Sequence, residues 1–250
     1  MGTTLTIVSS ILFVLSFPPY EIPVLPWVAL IPLLVALRFA GSTPSAALLA
    51  ALWGLLSAYG ITAWLPRAIA TYYQQPFLLG LGLFVATSAL MGASQYALFA
   101  AACHQVGRLR TPFFVAAAWV AAELGRCTLF GGNPWGLVGY TLAGAETSSL
   151  HMLERMLRLP VQVADLGGVY LVSFVIVAWN AAVADVVVAL WRLHCEDSSR
   201  TAQSLRHLAL AAGIVLLAAG YGHYRLTHLS AAVGEPTSVA IVQGNVGLGA

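Results

Sequence analysis

The feature of this sequence that most constrains its fold is a succession of long apolar stretches separated by short polar or proline-rich breaks. A helix of about 20 apolar residues crosses the hydrocarbon core of a bilayer, and in lipid only helices and closed barrels satisfy their own backbone groups. Of the 250 residues, 60% are hydrophobic and only 8% are charged, whereas a soluble domain carries roughly 25% charged residues. We therefore expect an all-α polytopic membrane helix bundle and exclude an ordinary soluble domain.

Seven apolar segments are predicted to be transmembrane helices. Pro18 and Pro19 end the first, because proline lacks a backbone N–H and clashes with the preceding turn. This short segment has no basic start and no small-residue cleavage site after it, so we expect a retained helix rather than a signal peptide. Thr111 and Pro112 suit the N-cap and the first residue of the fifth segment. The predicted spans are 3–17, 24–39, 45–65, 77–106, 111–126, 168–190 and 205–221.

The distribution of arginine predicts the orientation of this bundle, since cytoplasmic connections are enriched in basic residues. With a cytoplasmic N-terminus, the short connections on that side hold Arg38, Arg108, Arg110, Arg192, Arg200 and Arg206. The longer connections on the other side hold Arg67, Arg126, Arg155, Arg158 and Arg225 together with several acidic residues. Arginine density favours this orientation, which places the segment from Arg225 onward outside the cytoplasm.

Charge and cysteine spacing exclude other classes of function. All eleven basic residues are arginine and the formal net charge is +2, so we expect no nucleic-acid partner, which would require many phosphate contacts. Cys103, Cys127 and Cys195 form no Cys-x-x-Cys pair, and His223 and His228 are not spaced to share one helix face. The sequence therefore predicts no disulfide framework, no metal site and no other cofactor.

The C-terminal residues follow a different pattern from the rest. Residues 238–246 form a β-branched run bounded by turn residues, as is typical of a strand. A lone strand cannot pair its backbone groups, so it should belong to the sheet of a further domain. We therefore divide the sequence into a transmembrane helical domain, residues 1–228, and a linker with the first strand of a truncated domain, residues 229–250.

Glu123 and Arg126 are the charged residues of greatest interest, because residues three apart share one face of a helix. Ionisable groups at membrane depth are costly and are usually paired or functional. Two interpretations stay open. The two side chains form a structural ion pair near the end of the fifth span, or they are a polar anchor for a lipid headgroup or for the loop that lines a substrate cavity.

The loop Asn133-Pro134-Trp135-Gly136 places an indole on a restricted backbone. Trp135 is interpreted either as an aromatic anchor at the level of the lipid headgroups or as a wall for acyl chains, and Trp64 has the same two interpretations with the anchor favoured. Asn180 is expected to form hydrogen bonds between helices. Cys127 lies beside Arg126, but no His or Lys base is positioned to activate it, so we predict no catalytic residue.

Several motifs occur in a specific order along nearly the whole chain. They are Phe17-Pro18-Pro19-Tyr20, Trp27-x-x-Leu30-x-Pro32-Leu33-Leu34, Gly60-x-x-x-Trp64, Glu123-x-x-Arg126, Gly132-Asn133-Pro134-Trp135-x-x-x-Gly139-Tyr140, Ala164-Asp165-Leu166-Gly167-Gly168-Val169-Tyr170-x-x-Ser173-Phe174, Asn180 and Val239-Ala240-Ile241-Val242-Gln243-Gly244-Asn245. With them the chain resembles the membrane half of apolipoprotein N-acyltransferases. The last motif looks like the strand that opens the nitrilase-like α/β domain of that family.

The resemblance implies a multi-pass enzyme of the bacterial inner membrane, with the C-terminal end of this chain extracytoplasmic. Such an enzyme transfers an acyl chain from a phospholipid to the N-terminal diacylglyceryl-cysteine of an apolipoprotein. In the family a Glu-Lys-Cys triad of the nitrilase-like domain does this through a thioester. The resemblance also implies that Trp135 and its neighbours shape a lateral opening for lipid. The substrate-binding candidates are Asn133, Pro134, Trp135, Glu123, Arg126 and Tyr140.

The sequence departs from the family pattern in two places. It contains no lysine, so these residues do not include the triad lysine, and we expect this chain alone to be inactive. Residues 151–158 look like an insertion, and an interfacial amphipathic segment suits them. The alternative function is a non-catalytic membrane protein that binds lipid or a partner through the bundle. A small transporter is disfavoured, because paired charges at mid-span and internal symmetry are lacking.

Overall fold

Helices dominate the computed structural model, which describes residues 1–107, 111–144, 151–192 and 198–228, together with 238 and 240. The α-helices are α1 (Gly2–Val14), α2 (Ile31–Arg38), α3 (Thr43–Thr62), α4 (Leu65–Tyr72), α5 (Phe77–Ser88), α6 (Ser94–Val106), α7 (Pro112–Thr128), α8 (His151–Arg158), α9 (Ala164–Arg192) and α10 (Ser198–His228). Short 3-10 helices are Leu25–Trp27, Leu129–Gly131, Val138–Leu142 and Leu159–Val163, and the π-helical turn Ala89–Ala93 joins α5 to α6. The C-terminal strand that we expected lies outside the described residues, apart from two isolated positions.

The prediction of seven membrane spans is not confirmed in full. Four described helical stretches are long and apolar enough to cross a membrane, namely Thr43–Thr62, Phe77–Val106, Met152–Trp191 and Thr201–His228. The first predicted span overlaps α1, which has only 13 residues, about 20 Å of helix. The second contains the 8 residues of α2, and the fifth overlaps α7, which has 17 residues. Prolines between α1 and α2 prevent a continuous helix, so the apolar residues there form turns. A count of apolar residues does not detect this difference.

One helix start, that of α7, is formed by the residues that the sequence indicates. The hydroxyl of Thr111 accepts a hydrogen bond from the amide of Phe114 at 3.1 Å, and Pro112 is the first residue of α7, which confirms that prediction. Ser42 caps α3 in the same way through the amide of Ser45, at 3.3 Å. These caps satisfy amides that have no partner within the helix.

Six helices close a ring in which each packs against the next, in the order α1, α3, α6, α7, α9, α2 and back to α1. The helix α10 packs on the outside of α9, and α4 packs on α5. One end of the bundle, here called the site end, holds the C-terminal ends of α3, α7 and α10, the N-terminal end of α9 and residues 129–144. Contacts that define it join Trp64 to Trp135, Gly139 to Ser173 and Asp165 to Arg225.

An aromatic cluster fills the centre of the ring. Trp53 of α3, Tyr96 of α6 and Trp119 of α7 contact one another with ring centroids 4.9 to 5.1 Å apart, and Phe13 and Phe99 extend the group. Aromatic pairs in such edge-on and tilted geometries add about 0.5–1.5 kcal/mol each beyond the area they bury. The cluster therefore fixes the spacing of α3, α6 and α7, the helices that surround the candidate site.

Asn180 joins α9 to the segment before α2. Its Nδ2 donates to the carbonyl of Pro26 at 3.0 Å and to the carbonyl of Ile176 at 2.9 Å, and its Oδ1 accepts from the amide of Leu30 at 3.1 Å. Fully buried amides of this kind hold helices together in an apolar environment. The prediction that Asn180 bonds between elements is confirmed.

Candidate functional site

A cavity of about 370 Å³ lies between α3, α5, α6 and the end of α7, beneath the loop 132–136. Phe13, Trp53 and Phe84 contribute apolar and aromatic walls, and Ser57 and Ser88 add hydroxyl groups. Among its described lining residues, Arg126 is the only charged one. An apolar cavity with a few polar groups is the usual form of a small-molecule or lipid site.

The loop above the cavity folds back onto the end of α7 because two of its residues are glycines with positive φ. Gly132 has φ +81°, and a Cβ at this position would lie 2.5 Å from the carbonyl oxygen of Cys127. Gly136 has φ +71°, and such φ values favour glycine. The Oδ1 atom of Asn133 accepts from the amide of Trp135 at 3.2 Å. The two glycines and Asn133 therefore place Trp135 at the mouth of the cavity.

Arg126 lines the cavity from the last turn of α7 and is only 6% exposed. Its Nη1 donates to the carbonyl oxygen of Trp135 at 2.6 Å, and its guanidinium carbon lies 5.7 Å from the centroid of the Tyr96 ring. Its Nε and Nη2 atoms are buried and have no hydrogen-bond partner. A buried guanidinium with unused donors is destabilising unless an acceptor, best an anion, completes it. The cavity therefore offers donors to an anionic group.

Glu123 is fully buried behind the cavity wall and serves a different purpose. Its Oε1 accepts from the indole Nε1 of Trp119 at 3.1 Å and from the amide of Val138 at 2.7 Å. Glu123 and Arg126 form no salt bridge. Each group bonds to a separate part of the following segment, although the charge of Arg126 still acts on Glu123. The structural and the anchor interpretations of the two residues both stay predictions. Glu123 holds residue 138, and Arg126 holds residue 135 and faces the cavity.

Trp135 lines the mouth of the cavity, and its ring contacts that of Trp64. Their ring centroids are 5.8 Å apart, and both side chains are about half exposed. An indole that is half exposed at the end of a membrane helix suits a headgroup anchor, and an indole beside an apolar cavity suits an acyl-chain wall. The geometry is compatible with both interpretations of each tryptophan.

The structure brings four of the six predicted substrate-binding residues to the cavity, namely Arg126, Asn133, Pro134 and Trp135. Glu123 supports this group from behind. Tyr140 is exposed on the 3-10 helix Val138–Leu142 and is not among the described lining residues. Its ring does not take part in the cavity because the helix turns it outward. The Sγ atom of Cys127 lies 3.9 Å from the carbonyl oxygen of Asn133.

Sequence reasoning missed the walls contributed by α3 and by the π-helical turn. Gly54, Ser57, Ala58 and Ile61 all line the cavity from α3, and their spacing of three and four is the period of one helix face. A stripe of small residues at this spacing is a signal that could have found this wall. The π-helical turn places Gly92 against Arg126, where a Cβ would lie 3.7 Å from Cδ of the arginine. In the described ranges, no group of three or more His, Cys, Asp or Glu side chains could hold a metal ion.

Comparisons with known proteins agree on one family. A family model described as the apolipoprotein N-acyltransferase N-terminal domain matches residues 9–182. A relative from Geobacter metallireducens named Apolipoprotein N-acyltransferase is 31% identical over 97% of this chain and 43% of its own length. Relatives of the same name from Rhodopirellula baltica and Gloeobacter violaceus are each 32% identical, over 91% and 93% of this chain and 37% and 40% of their own lengths. The chain therefore spans about two fifths of the length of these relatives.

Proposed function

Because the chain belongs to the apolipoprotein N-acyltransferase family, as a match to its N-terminal domain, we propose that it is the membrane domain of such an enzyme. The enzyme transfers an acyl chain from a phospholipid to the N-terminal diacylglyceryl-cysteine of an apolipoprotein. The partners in this proposal are the phospholipid donor, the apolipoprotein acceptor and the membrane. It requires no cofactor in this chain.

The observation that carries the proposal is the guanidinium of Arg126, with two unpaired donors, in an otherwise uncharged and mostly apolar cavity. A phospholipid has both matching parts, since its acyl chain suits the apolar walls and its phosphate accepts hydrogen bonds from arginine. In this proposal Nε and Nη2 of Arg126 bind the phosphate while Trp135 borders the acyl chain. The donor is then held at the site end of the bundle.

We propose that this chain does not catalyse acyl transfer by itself. Its 250 residues contain no lysine, and the resemblance implies a catalytic triad of Glu, Lys and Cys. In this proposal the bundle binds and presents the lipid, and catalytic groups outside these residues act above the site end. The proposed location is the bacterial inner membrane, with the site end on the extracytoplasmic side, as the arginine distribution indicates.

A chimera tests the proposal directly. The matching N-terminal part of the Geobacter metallireducens relative is replaced by this chain, and the product is expressed in cells depleted of their own apolipoprotein N-acyltransferase. Mass spectrometry of a lipoprotein N-terminal peptide reports the third acyl chain. We expect N-acylation with the chimera and none with this chain alone. A chimera that is inserted and stable but leaves the lipoprotein diacylated would contradict the proposal.

The same cavity supports the alternative function, a non-catalytic membrane protein that binds lipid. The unpaired donors of Arg126 and the apolar walls could bind an anionic lipid without any chemical reaction taking place there. The chimera separates the two candidates, because a lipid-binding protein would bind phospholipid without restoring N-acylation.

A further inference from the structure

The helix α8 presents three apolar residues and Arg155 outward and buries its other two charged residues, Glu154 and Arg158. Met152, Leu153 and Met156 are 70%, 52% and 58% exposed, whereas Glu154 and Arg158 are 1% and 7% exposed. A helix on the water-facing surface of a protein has the opposite arrangement, with polar residues outside and apolar residues against the core. The exposed face of α8 is therefore unsuited to water.

The buried polar face of α8 is used to attach the helix to the bundle. Glu154 and Arg158 form an i, i+4 ion pair, with Arg158 Nη2 donating to Glu154 Oε1 at 3.1 Å. A Cβ built on Gly144 would lie 2.7 Å from both Arg158 Nη1 and Glu21 Oε2, so these charged groups converge on that glycine. Because Glu154 and Arg158 face the protein, the face that carries Met152, Leu153, Arg155 and Met156 points away from it.

The next elements fix α8 at the site end. The backbone of Leu159 packs so closely on Gly222 of α10 that a Cβ there would overlap its carbonyl oxygen. Asp165 at the start of α9 accepts from Arg225 Nε at 2.7 Å and from the Tyr221 hydroxyl at 2.9 Å. The segment from α8 to the start of α9 is therefore fastened to the last turns of α10.

The length of α9 decides where α8 lies relative to a bilayer. The helix bends at Gly167 and Gly168, where φ is −146° and +65°. The remainder of this 29-residue helix is more than about 35 Å long and crosses the hydrocarbon core without help. Residues 152–163 precede this crossing part within the helical stretch Met152–Trp191, so they are not needed to span the hydrocarbon core. They lie at the site end of the bundle, where the indoles of Trp64 and Trp135 are exposed.

We infer that α8 is an interfacial helix whose outward face, Met152, Leu153 and Met156, contacts the lipid of the leaflet at the site end. A position at the boundary between headgroups and acyl chains supplies the apolar surroundings that this face requires, while Glu154 and Arg158 on the other face are buried. An interfacial helix buries its apolar face about 5–10 Å into the boundary between headgroups and acyl chains. The inference identifies a second lipid contact, separate from the cavity of Arg126.

Depth-dependent fluorescence quenching tests this contact in the whole chain, reconstituted in phosphatidylcholine vesicles. Cys103, Cys127 and Cys195 are replaced by alanine, and the fluorophore NBD is attached at Met156→Cys and, independently, at Leu153→Cys. Leu217→Cys on the lipid-exposed face of α10 serves as the membrane control. Phospholipids brominated at different acyl positions report depth, and iodide reports access from water.

The expected result is strong bromolipid quenching at positions 153 and 156, at a depth of about 5–10 Å, with little quenching by iodide. The label at position 217 should be quenched most by bromines placed further along the acyl chains, which would show that it lies deeper in the bilayer. Iodide quenching equal to that of the free dye would show a face in water and would overturn the inference. Protection from both quenchers would show a face covered by protein and would overturn it as well.

Discussion

The guanidinium of Arg126 donates a hydrogen bond to the backbone carbonyl of Trp135 at 2.6 Å, so the charged residue in the cavity also holds the residue at its mouth. The remaining donors of Arg126, Nε and Nη2, are buried without partners. One side chain therefore links the position of the loop to the occupation of the cavity. The central claim is that an anionic lipid group completes this arrangement.

Arg126→Met should weaken phospholipid binding to the purified chain by about 10- to 100-fold, because hydrogen bonds to charged groups contribute roughly 1.5–3 kcal/mol. Native mass spectrometry of retained lipid measures the change. Arg126→Lys keeps the charge without the planar fork and should be intermediate. Arg67→Met, on the exposed face of α4, is the matched control and should bind normally. Equal binding by the Arg126 and Arg67 variants would refute this role.

Trp135→Ala should slow acyl transfer by the chimera without unfolding the bundle, because the half-exposed indole borders the cavity mouth but contributes little to the core. Trp191→Ala is the control, since Trp191 is similarly exposed at the other end of α9 and contacts Phe39 edge-on. Rates of lipoprotein N-acylation and thermal unfolding curves measure the two effects. Normal transfer by Trp135→Ala would leave this residue as a headgroup anchor only.

Glu123→Ala should destabilise the bundle, because it leaves the indole N–H of Trp119 and the amide of Val138 buried without an acceptor. Each such loss costs about 1–3 kcal/mol. Glu123→Gln retains one carbonyl oxygen as an acceptor and should be much milder. Thermal unfolding in detergent compares the two variants. A glutamine variant as unstable as the alanine variant would mean that the charge, rather than the hydrogen bonds, is required.

Gly132→Ala should displace the loop, because the new Cβ would lie 2.5 Å from the carbonyl oxygen of Cys127 at a positive φ. The backbone of Gly132, with φ +81° and ψ +137°, is sparsely populated by non-glycine residues and costs them roughly 1–3 kcal/mol even without a steric overlap. Gly82→Ala in α5 is the matched control, since no atom lies within 4 Å of its Cβ, and alanine favours helix. We expect a lower melting temperature for the first variant only, and unchanged stability of both would contradict the loop geometry.

Local features could be predicted from the sequence because a few neighbouring residues determine them. Thr111 and Pro112 start α7 as expected, and Asn180 bonds between elements as expected. The length of the first two spans could not be predicted, because apolar residues between α1 and α2 lie in turns and a short 3-10 helix rather than in a continuous α-helix. Hydrophobicity indicates burial, and it does not distinguish a helix from a buried turn.

The candidate site was only partly predictable for a related reason. Helical spacing correctly places Glu123 and Arg126 on neighbouring positions of α7. It does not reveal that Glu123 bonds to the amide of Val138 while Arg126 bonds to the carbonyl of Trp135, so that the two side chains have separate roles. The wall from α3 depends on the packing of α3 against α6, a relationship between residues distant in sequence. Which helices pack against each other depends on the whole bundle, so the sequence of α3 alone does not predict it.

Photo-crosslinking of a phospholipid with a diazirine in its acyl chain measures the central claim most directly. The reconstituted chain is irradiated and the labelled peptides are identified by mass spectrometry. The account predicts adducts on cavity residues, such as Ser57 and Met91, that are lost in Arg126→Met, while adducts on the lipid-exposed Leu217 persist in both proteins. Adducts confined to Leu217 and similar outer positions, or cavity adducts unaffected by Arg126→Met, would contradict it.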